Sequence, residues 1–200
     1  MTATYKIPLQ PRALTTEQKF LDALNDMLQY KSLGLLTIDE IAAKAGLTRS
    51  AFLKRFGTKK QAFLVLYGRY CERVQVAMVA VAEEMPSFSD AHEACLRICS
   101  DAQELQTVYF SANRAMLEHF MEDLTVHPQT QALFMQCCDL MRQIQKVHVR
   151  SGTDVGAYAA AQLIFTLTCN HVLKAMPGLP RDQQTRQTLM ANIVSRALLL

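Results

Sequence analysis

Glycine and proline are scarce in this sequence, and so are the short motifs that mark many enzyme active sites. The 200 residues include only 7 glycines and 6 prolines. There is no glycine-rich phosphate loop, no Gly-x-Ser-x-Gly and no His-Glu-x-x-His. The acidic pairs at 83–84 and 122–123 are adjacent on predicted helices, so their carboxylates diverge. We therefore expect no enzyme, no cofactor and no metal.

Long apolar runs are missing too. The most apolar stretch, residues 155–176, is interrupted by Gln162, Asn170, His171 and Lys174, so we predict no membrane span. The first residues contain no apolar signal region. These features predict a cytoplasmic protein with mostly reduced thiols. The six cysteines are Cys71, Cys95, Cys99, Cys137, Cys138 and Cys169.

The residues that are abundant predict an all-α protein with an uneven charge. Helix formers such as Ala, Leu, Gln and Met fill long stretches. Residues 1–60 carry 10 Lys and Arg against 5 Asp and Glu, while residues 61–200 carry 11 against 13. A basic N-terminal third suits a nucleic-acid-binding module, although an incidental surface excess would look the same.

Residues 37–56, TIDEIAAKAGLTRSAFLKRF, read as two short helices and a tight turn. Thr37 and Glu40 form a capping box that starts the first helix. Gly46 can take the left-handed conformation that ends it, and Thr48 can cap the second helix. Phe52 and Phe56 lie four residues apart and are predicted to point inward. The result is the geometry of a helix-turn-helix whose second helix fits a major groove.

With the flanking runs FLDALNDML and GTKKQAFLVLY, residues 16–70 resemble the DNA-binding domain of the TetR (tetracycline-repressor) family of transcriptional regulators. The resemblance implies an N-terminal three-helix helix-turn-helix domain and a C-terminal helical ligand-binding and dimerisation domain, about nine helices in all. We expect an arm at 1–14, the DNA-binding domain at 15–60 and the regulatory domain at 61–200. The predicted helices begin at a capping box of Thr15 and Gln18 and continue, after the helix-turn-helix, at 59–85, 90–105, 108–124, 128–150, 154–176 and 181–199.

The family pattern, carried over position by position, implies which residues meet double-stranded DNA. Arg49 is the best candidate for a bidentate contact to guanine, and Ala51 for a contact to a thymine methyl group. Thr37 and Thr48 at helix N-termini, together with Lys44 and Lys59, would hold phosphates. The full predicted set is Thr37, Lys44, Thr48, Arg49, Ser50, Ala51, Leu53, Lys54 and Lys59.

Three positions depart from the family pattern. Most members have Tyr where this chain has Leu53, and that Tyr usually meets the DNA backbone. Leu53 either packs on a thymine methyl group or leaves this contact absent, in which case Arg55 or Lys54 could compensate. Lys60 stands where the family often has an acid. Ser32 stands where the first helix usually ends in Gly, which alters the loop.

The resemblance also implies that residues 61–200 enclose a small apolar or amphipathic effector and form the interface of a homodimer. With two recognition helices, the dimer is expected to bind a palindromic operator as a repressor. Residues predicted to face the effector are Cys95, Cys99, Phe110, Met116, Phe120, Met135, Cys138, Phe165 and Cys169. Residues predicted at the interface of the last two helices are Leu163, Leu167, Leu189, Met190, Ile193, Val194 and Ala197. Burial of either set inside one subunit is the alternative interpretation.

Other functions have weaker support from the sequence. His92, Cys95 and Cys99 share one helix face but supply only three metal ligands. The adjacent Cys137 and Cys138 would sense redox state only if one thiolate were exposed. The main alternative function is a binding module for a small molecule or a hydrophobic partner whose DNA contact is weak or lost, which Leu53 favours.

Overall fold

Helices are the only regular secondary structure in the residues that the structure, a computed structural model, describes: 10–120, 128–149, 152–173, 180 and 182–200. Within these ranges there are nine α-helices and no strand, as predicted. They are α1 (Pro11–Leu28), α2 (Ile38–Lys44), α3 (Arg49–Phe56), α4 (Lys59–Glu84), α5 (Ala91–Val108), α6 (Phe110–Phe120), α7 (Pro128–Ile144), α8 (Asp154–Leu173) and α9 (Gln183–Ala197). None of these described helices is both long enough and apolar enough to cross a membrane.

Side-chain caps fix several helix starts where the sequence predicts them. Thr48 accepts a hydrogen bond from the backbone N–H of Ala51 at 3.1 Å, and Thr58 accepts one from Gln61 at 3.0 Å. Asp90 caps α5 through the N–H of Glu93 at 2.8 Å. Each cap satisfies an N–H that the first helical turn leaves without a partner.

The predicted start of α1 is wrong. The helix begins at Pro11, which occupies its first turn, and Gln10 makes no side-chain cap. Thr15 and Thr16 therefore lie inside the helix, where their hydroxyls donate to the carbonyls of Pro11 and Arg12. Proline presets the helical φ and has no N–H to satisfy, so it starts the helix one turn early. Residues 10–14 of the expected arm are thus cap and helix, while 1–9 lie outside the described residues.

The chain divides into two compact units inside α4. The first comprises the residues up to Arg69 together with Ser111–Phe120, and the second comprises Tyr70–Phe110 together with the described residues after 120. This division falls after Arg69, whereas the predicted DNA-binding and regulatory domains divide at residue 60, and most of α6 belongs to the first unit. The predicted helix ends at 124, 150 and 176 and the start at 181 lie outside the described residues.

A short π-helical turn, Gln145–Val149, follows α7 in the second unit, and Gln145 is its buried residue. The buried amide of Gln145 donates to the carbonyl oxygens of Thr153 and Leu198, both at 3.0 Å. A β-carbon on Gly152 would lie only 2.4 Å from that amide nitrogen. A side chain at position 152 would therefore force the Gln145 side chain to shift from the two carbonyls that it holds.

Candidate nucleic-acid interface and candidate effector cavity

The helix α2 is held by a reciprocal capping box. The N–H of Glu40 donates to the Thr37 hydroxyl at 3.2 Å, and the backbone N–H of Thr37 donates to the Glu40 carboxylate at 2.9 Å. Lys31 pairs with the same carboxylate at 2.7 Å. The Lys31 hydrogen bond, followed by those from Thr37, lowers the pKa of Glu40 to about 2. The carboxylate is therefore ionised at any physiological pH, and the cap stays intact.

The turn between α2 and α3 has the backbone that the sequence predicts. Gly46 has a φ of 66°, in the left-handed region that favours glycine. Its N–H donates to the carbonyl of Ala43 at 3.0 Å, and the N–H of Leu47 donates to that of Ala42 at 2.9 Å. This pair of bonds is the Schellman motif, which closes the end of α2 and sets the direction in which α3 begins.

An aromatic cluster anchors the inner side of α3. Phe52 and Phe56 are at most 1% exposed, and their ring centroids lie 5.2 and 6.0 Å from that of Phe20 in α1. With these two positions facing inward, Arg49, Ser50, Leu53 and Lys54 are exposed and Ala51 is half-buried. The outer face of α3 therefore presents the residues that the sequence places against DNA.

Arg49 is the first residue of α3 and forms an ion pair across the turn. Its Nη1 lies 2.6 Å from Oδ2 of Asp39 in α2, and both side chains are more than half exposed. Lys44, also exposed, lies 3.7 Å from Asp26. Sequence reasoning did not assign a role to Asp39, although its place in the first turn of α2 is visible in the sequence.

Lys59, which the sequence predicts as a phosphate ligand, forms hydrogen bonds within the domain. Its Nζ donates to the carbonyl oxygens of Leu36 at 2.5 Å and Gly34 at 3.1 Å. Burial, followed by repulsion from Lys31, lowers its pKa. The side chain ties the loop after α1 to the start of α4, so its role in this structure is to hold the domain together.

Arg55, one of the two residues expected to compensate for Leu53, is engaged inside the domain. Its Nε and Nη2 lie 2.7 and 2.5 Å from Oε2 of Glu17, a residue of α1 that is only 3% exposed. The second oxygen of Glu17 accepts from Nη2 of Arg69 in α4 at 3.1 Å. A buried carboxylate thus joins α1, α3 and α4, a network that sequence reasoning missed.

An apolar cavity of about 60 Å³ lies in the second unit, among α4, α5, α7 and α8. Thirteen residues line it: Val74, Ala77, Met78, Val81, Ile98, Asp101, Ala102, Leu105, Leu133, Cys137, Leu140, Ile164 and Phe165. Asp101 is the one charged residue among them. Both oxygens of its carboxylate accept from Nε of Arg97, at 3.0 and 3.1 Å, and Arg97 also pairs with Glu84. A molecule that enters the cavity would therefore contact mainly carbon and sulfur atoms and few polar atoms.

Nine residues are predicted to face an effector, and of these Phe165 lines this cavity. Cys137 lines the cavity, whereas its predicted neighbour Cys138 does not. Met116 and Phe120 lie in the first unit, where Phe120 stacks on Phe63 with 5.4 Å between ring centroids. Met135 is 49% exposed. The remaining four, which do not line this cavity, are Cys95, Cys99, Phe110 and Cys169.

The cysteines in the described residues are free thiols in apolar surroundings. Burial raises the pKa of Cys71, Cys99 and Cys137 to about 12, and it raises the pKa of Cys95, Cys138 and Cys169 as well. A thiol that stays protonated is a poor nucleophile. The described residues contain no group of three or more His, Cys, Asp and Glu that could hold a metal ion.

The residues predicted at a dimer interface fall into two groups. Leu167, Met190, Val194 and Ala197 are at most 7% exposed within the single chain, so they belong to its own core. Leu189 and Ile193 are 38% and 37% exposed, and Leu163 is half-buried. In α8, Val155 and Tyr158 are more than half exposed, and the Tyr158 ring packs edge-on against Phe134 of α7. We call the surface formed by Val155, Tyr158, Leu163, Leu189 and Ile193 the outer α8–α9 face.

Comparison with solved structures shows which fold this is. A TetR-family regulator from Rhodococcus RHA1 superposes with a TM-score of 0.71 at 13% identity, covering 92% of this chain and 96% of the other. A TetR-family regulator from Mesorhizobium loti gives 0.68 at 15% identity, with 95% and 98% covered. The regulator FadR from Bacillus subtilis, in complex with stearoyl-CoA, gives 0.61 at 15% identity, with 91% and 97% covered. No protein-family model and no curated protein matches the sequence. The chain therefore has the TetR fold over nearly its whole length.

Proposed function

We propose that this protein is a cytoplasmic transcriptional repressor that binds a palindromic DNA operator as a homodimer and releases it when a small apolar effector binds. The observation that carries the proposal is the outer face of α3. Four of its eight residues are exposed, two of them cations, while Phe52 and Phe56 fix the helix from below. A helix held in this way after a Gly46 turn has the form of a recognition helix.

A dimer is part of the proposal because one short helix reads only a few base pairs. Two copies related by a twofold axis would place two recognition helices on half-sites roughly 34 Å apart and multiply their specificity. The outer α8–α9 face is the surface we assign to this contact, because its apolar side chains other than Leu163 remain exposed in the single chain.

The effector site that we propose is the cavity lined by Met78, Cys137 and Phe165, among others. Pockets that hold drug-sized ligands measure about 300–1,000 Å³, so a cavity of about 60 Å³ must expand by moving its side chains. Met78 is suited to this because methionine is flexible and unbranched. That FadR binds stearoyl-CoA on the same fold supports an apolar ligand here. Release of DNA requires the effector to prefer one conformation of the protein over the other.

Selection from a randomised duplex library, using the purified full-length protein, tests the proposal. We expect enrichment of one palindromic site, and we expect Arg49→Ala to reduce affinity for that site about 5- to 150-fold, the value of a bidentate guanine contact. Arg73→Ala is the matched control, since Arg73 is an exposed arginine of the second unit. No enrichment of any site by the unmodified protein would contradict a DNA-reading function.

The second candidate function is an effector-binding module that has lost DNA binding. Leu53 favours it, because this side chain is 38% exposed on α3 and has no hydrogen-bond donor for the phosphate backbone. In that case apolar compounds would raise the melting temperature of the protein, but no duplex would be enriched.

A further inference from the structure

Asp39 lies where it can control what Arg49 does on DNA. It is the second residue of α2, and the capping box of Thr37 and Glu40 fixes the turn that carries it. Arg49 is the first residue of α3, held by the Thr48 cap. The Schellman turn at Gly46 sets the separation of the two helix starts. The 2.6 Å contact between Asp39 Oδ2 and Arg49 Nη1 therefore joins two anchored backbones through two exposed side chains.

The contact leaves most of the arginine available. A guanidinium has five N–H donors in a planar fork, and one bond to Nη1 leaves the edge formed by Nε and Nη2. That edge can donate two parallel bonds to O6 and N7 of guanine. Residues at the start of a recognition helix are the ones that reach base edges. Holding Nη1 in place restricts a long side chain before DNA arrives, which reduces the entropy lost when the base contact forms.

The same carboxylate also lowers the attraction of the surface for any DNA. It cancels the charge of Arg49 and would be repelled by phosphates, which supply most of the affinity in non-specific complexes. An acid beside a base-reading arginine thus weakens binding to wrong sequences and favours the guanine contact, because specificity is a difference between two affinities.

From this geometry we propose that Asp39 is a specificity-determining residue that orients Arg49 toward guanine and suppresses non-specific DNA binding. The inference rests on the proposed function and names a residue that determines its selectivity. It assigns Asp39 a positioning role, exerted through Arg49.

The test measures two affinities for each variant by fluorescence anisotropy, with the palindromic duplex selected by the unmodified protein and with a scrambled duplex of equal length. For Asp39→Ala we expect binding to the scrambled duplex to strengthen, while the preference for guanine over adenine at the Arg49 position falls about 3-fold, within the range of an exposed ion pair. For Asp39→Asn, whose amide oxygen can still accept from Arg49, we expect stronger scrambled-duplex binding but a largely retained preference. A structural role alone would weaken binding to both duplexes together.

A double-mutant cycle separates positioning from direct reading. In an Arg49→Ala background, Asp39→Ala should leave the base preference unchanged, because the side chain that it orients is gone. A change of preference in that background would show that Asp39 reads a base itself and would overturn the inference. An unchanged preference for Asp39→Ala in the unmodified chain would also overturn it, while leaving the DNA-binding function intact. The absence of any selected duplex would instead refute the proposed function.

Discussion

Replacing Glu17 by glutamine should destabilise the first unit more than any other single loss of a carboxylate there. The carboxylate is 3% exposed and accepts bonds from two guanidinium groups on two different helices. Glutamine has nearly the same shape, but it presents one neutral oxygen to the two cations. Breaking a buried ion pair by removing one partner typically costs about 3–5 kcal/mol, because the remaining charge stays buried without compensation.

The expected value lies at the lower end of that range. The side chains of Arg55 and Arg69 are 16% and 28% exposed, so water can solvate part of each guanidinium once the carboxylate charge is gone. We expect a loss of about 3 kcal/mol. For a chain of this size, each kcal/mol shifts the melting temperature by about 2–4 °C, which predicts a fall of about 6–12 °C.

Thermal unfolding followed by circular dichroism at 222 nm measures this shift in the full-length protein. The matched control is Glu104→Gln, the same substitution at an exposed position on α5, which should change the melting temperature by less than 2 °C. If Glu17→Gln melted within 2 °C of the unmodified protein, the network would contribute nothing and the reasoning would be wrong. Replacing Glu17, Arg55 and Arg69 together by methionine should recover part of the loss, since no buried charge then remains.

Three further predictions concern the caps, the loop and the outer face. The folded pKa of Glu40 is depressed to about 2, so its carboxylate stabilises the folded state above the unfolded pKa of 4.5 and loses that contribution as the pH falls to about 2. Glu40→Gln should therefore lessen the loss of stability between pH 4.5 and 2 in acid titrations. A curve parallel to that of the unmodified protein would contradict this. Lys59→Ala should lower the melting temperature by about 2–4 °C without changing the salt dependence of DNA binding. Lys54→Ala should instead reduce the slope of log affinity against log salt concentration by about one. A reduced slope for Lys59→Ala would show that Lys59 binds a phosphate. Ile193→Asp should shift a dimer toward monomer in sedimentation velocity, whereas the same substitution at the neighbouring exposed Asn192 should have a smaller effect; an unchanged dimer would place the interface elsewhere.

Short-range chemistry explains what the sequence predicted correctly. The caps at Thr37 and Thr48 each join residues three apart, and the Gly46 turn depends on a single residue that adopts a positive φ. The amino-acid identities alone carry such signals. The failed cap at Thr15 also has a local cause, because Pro11 starts α1 earlier and the threonines then bond to the preceding turn.

Long-range contacts explain what the sequence could not predict. Lys59 reaches a carbonyl 23 residues earlier, and Arg55 reaches a carboxylate 38 residues earlier. Nothing in the sequence pattern distinguishes those two cations from Lys54, which lies in the same stretch of the chain and is exposed. The predicted effector residues differ from the cavity lining for a related reason. An apolar periodicity shows which side chains are buried, but both the cavity and the solid core are lined by such side chains, so Cys137 and Cys138 could be told apart only in three dimensions.

The ion pairs of the first 60 residues change how the net positive charge of this segment is interpreted. Four of the five acids in that segment each pair with a cation of the same segment: Glu17 with Arg55, Asp26 with Lys44, Asp39 with Arg49, and Glu40 with Lys31. A fifth cation, Lys59, is bound to backbone carbonyls. The excess of +5 in composition is therefore not a uniform basic surface that would attract any polyanion. On α2 and α3, the exposed cations Lys44 and Arg49 are each paired with an acid, whereas Lys54 is exposed without an ion pair in the described residues. Such a surface gains less from phosphates alone and depends more on the fit of α3 to particular bases, which is the property that a sequence-specific regulator needs.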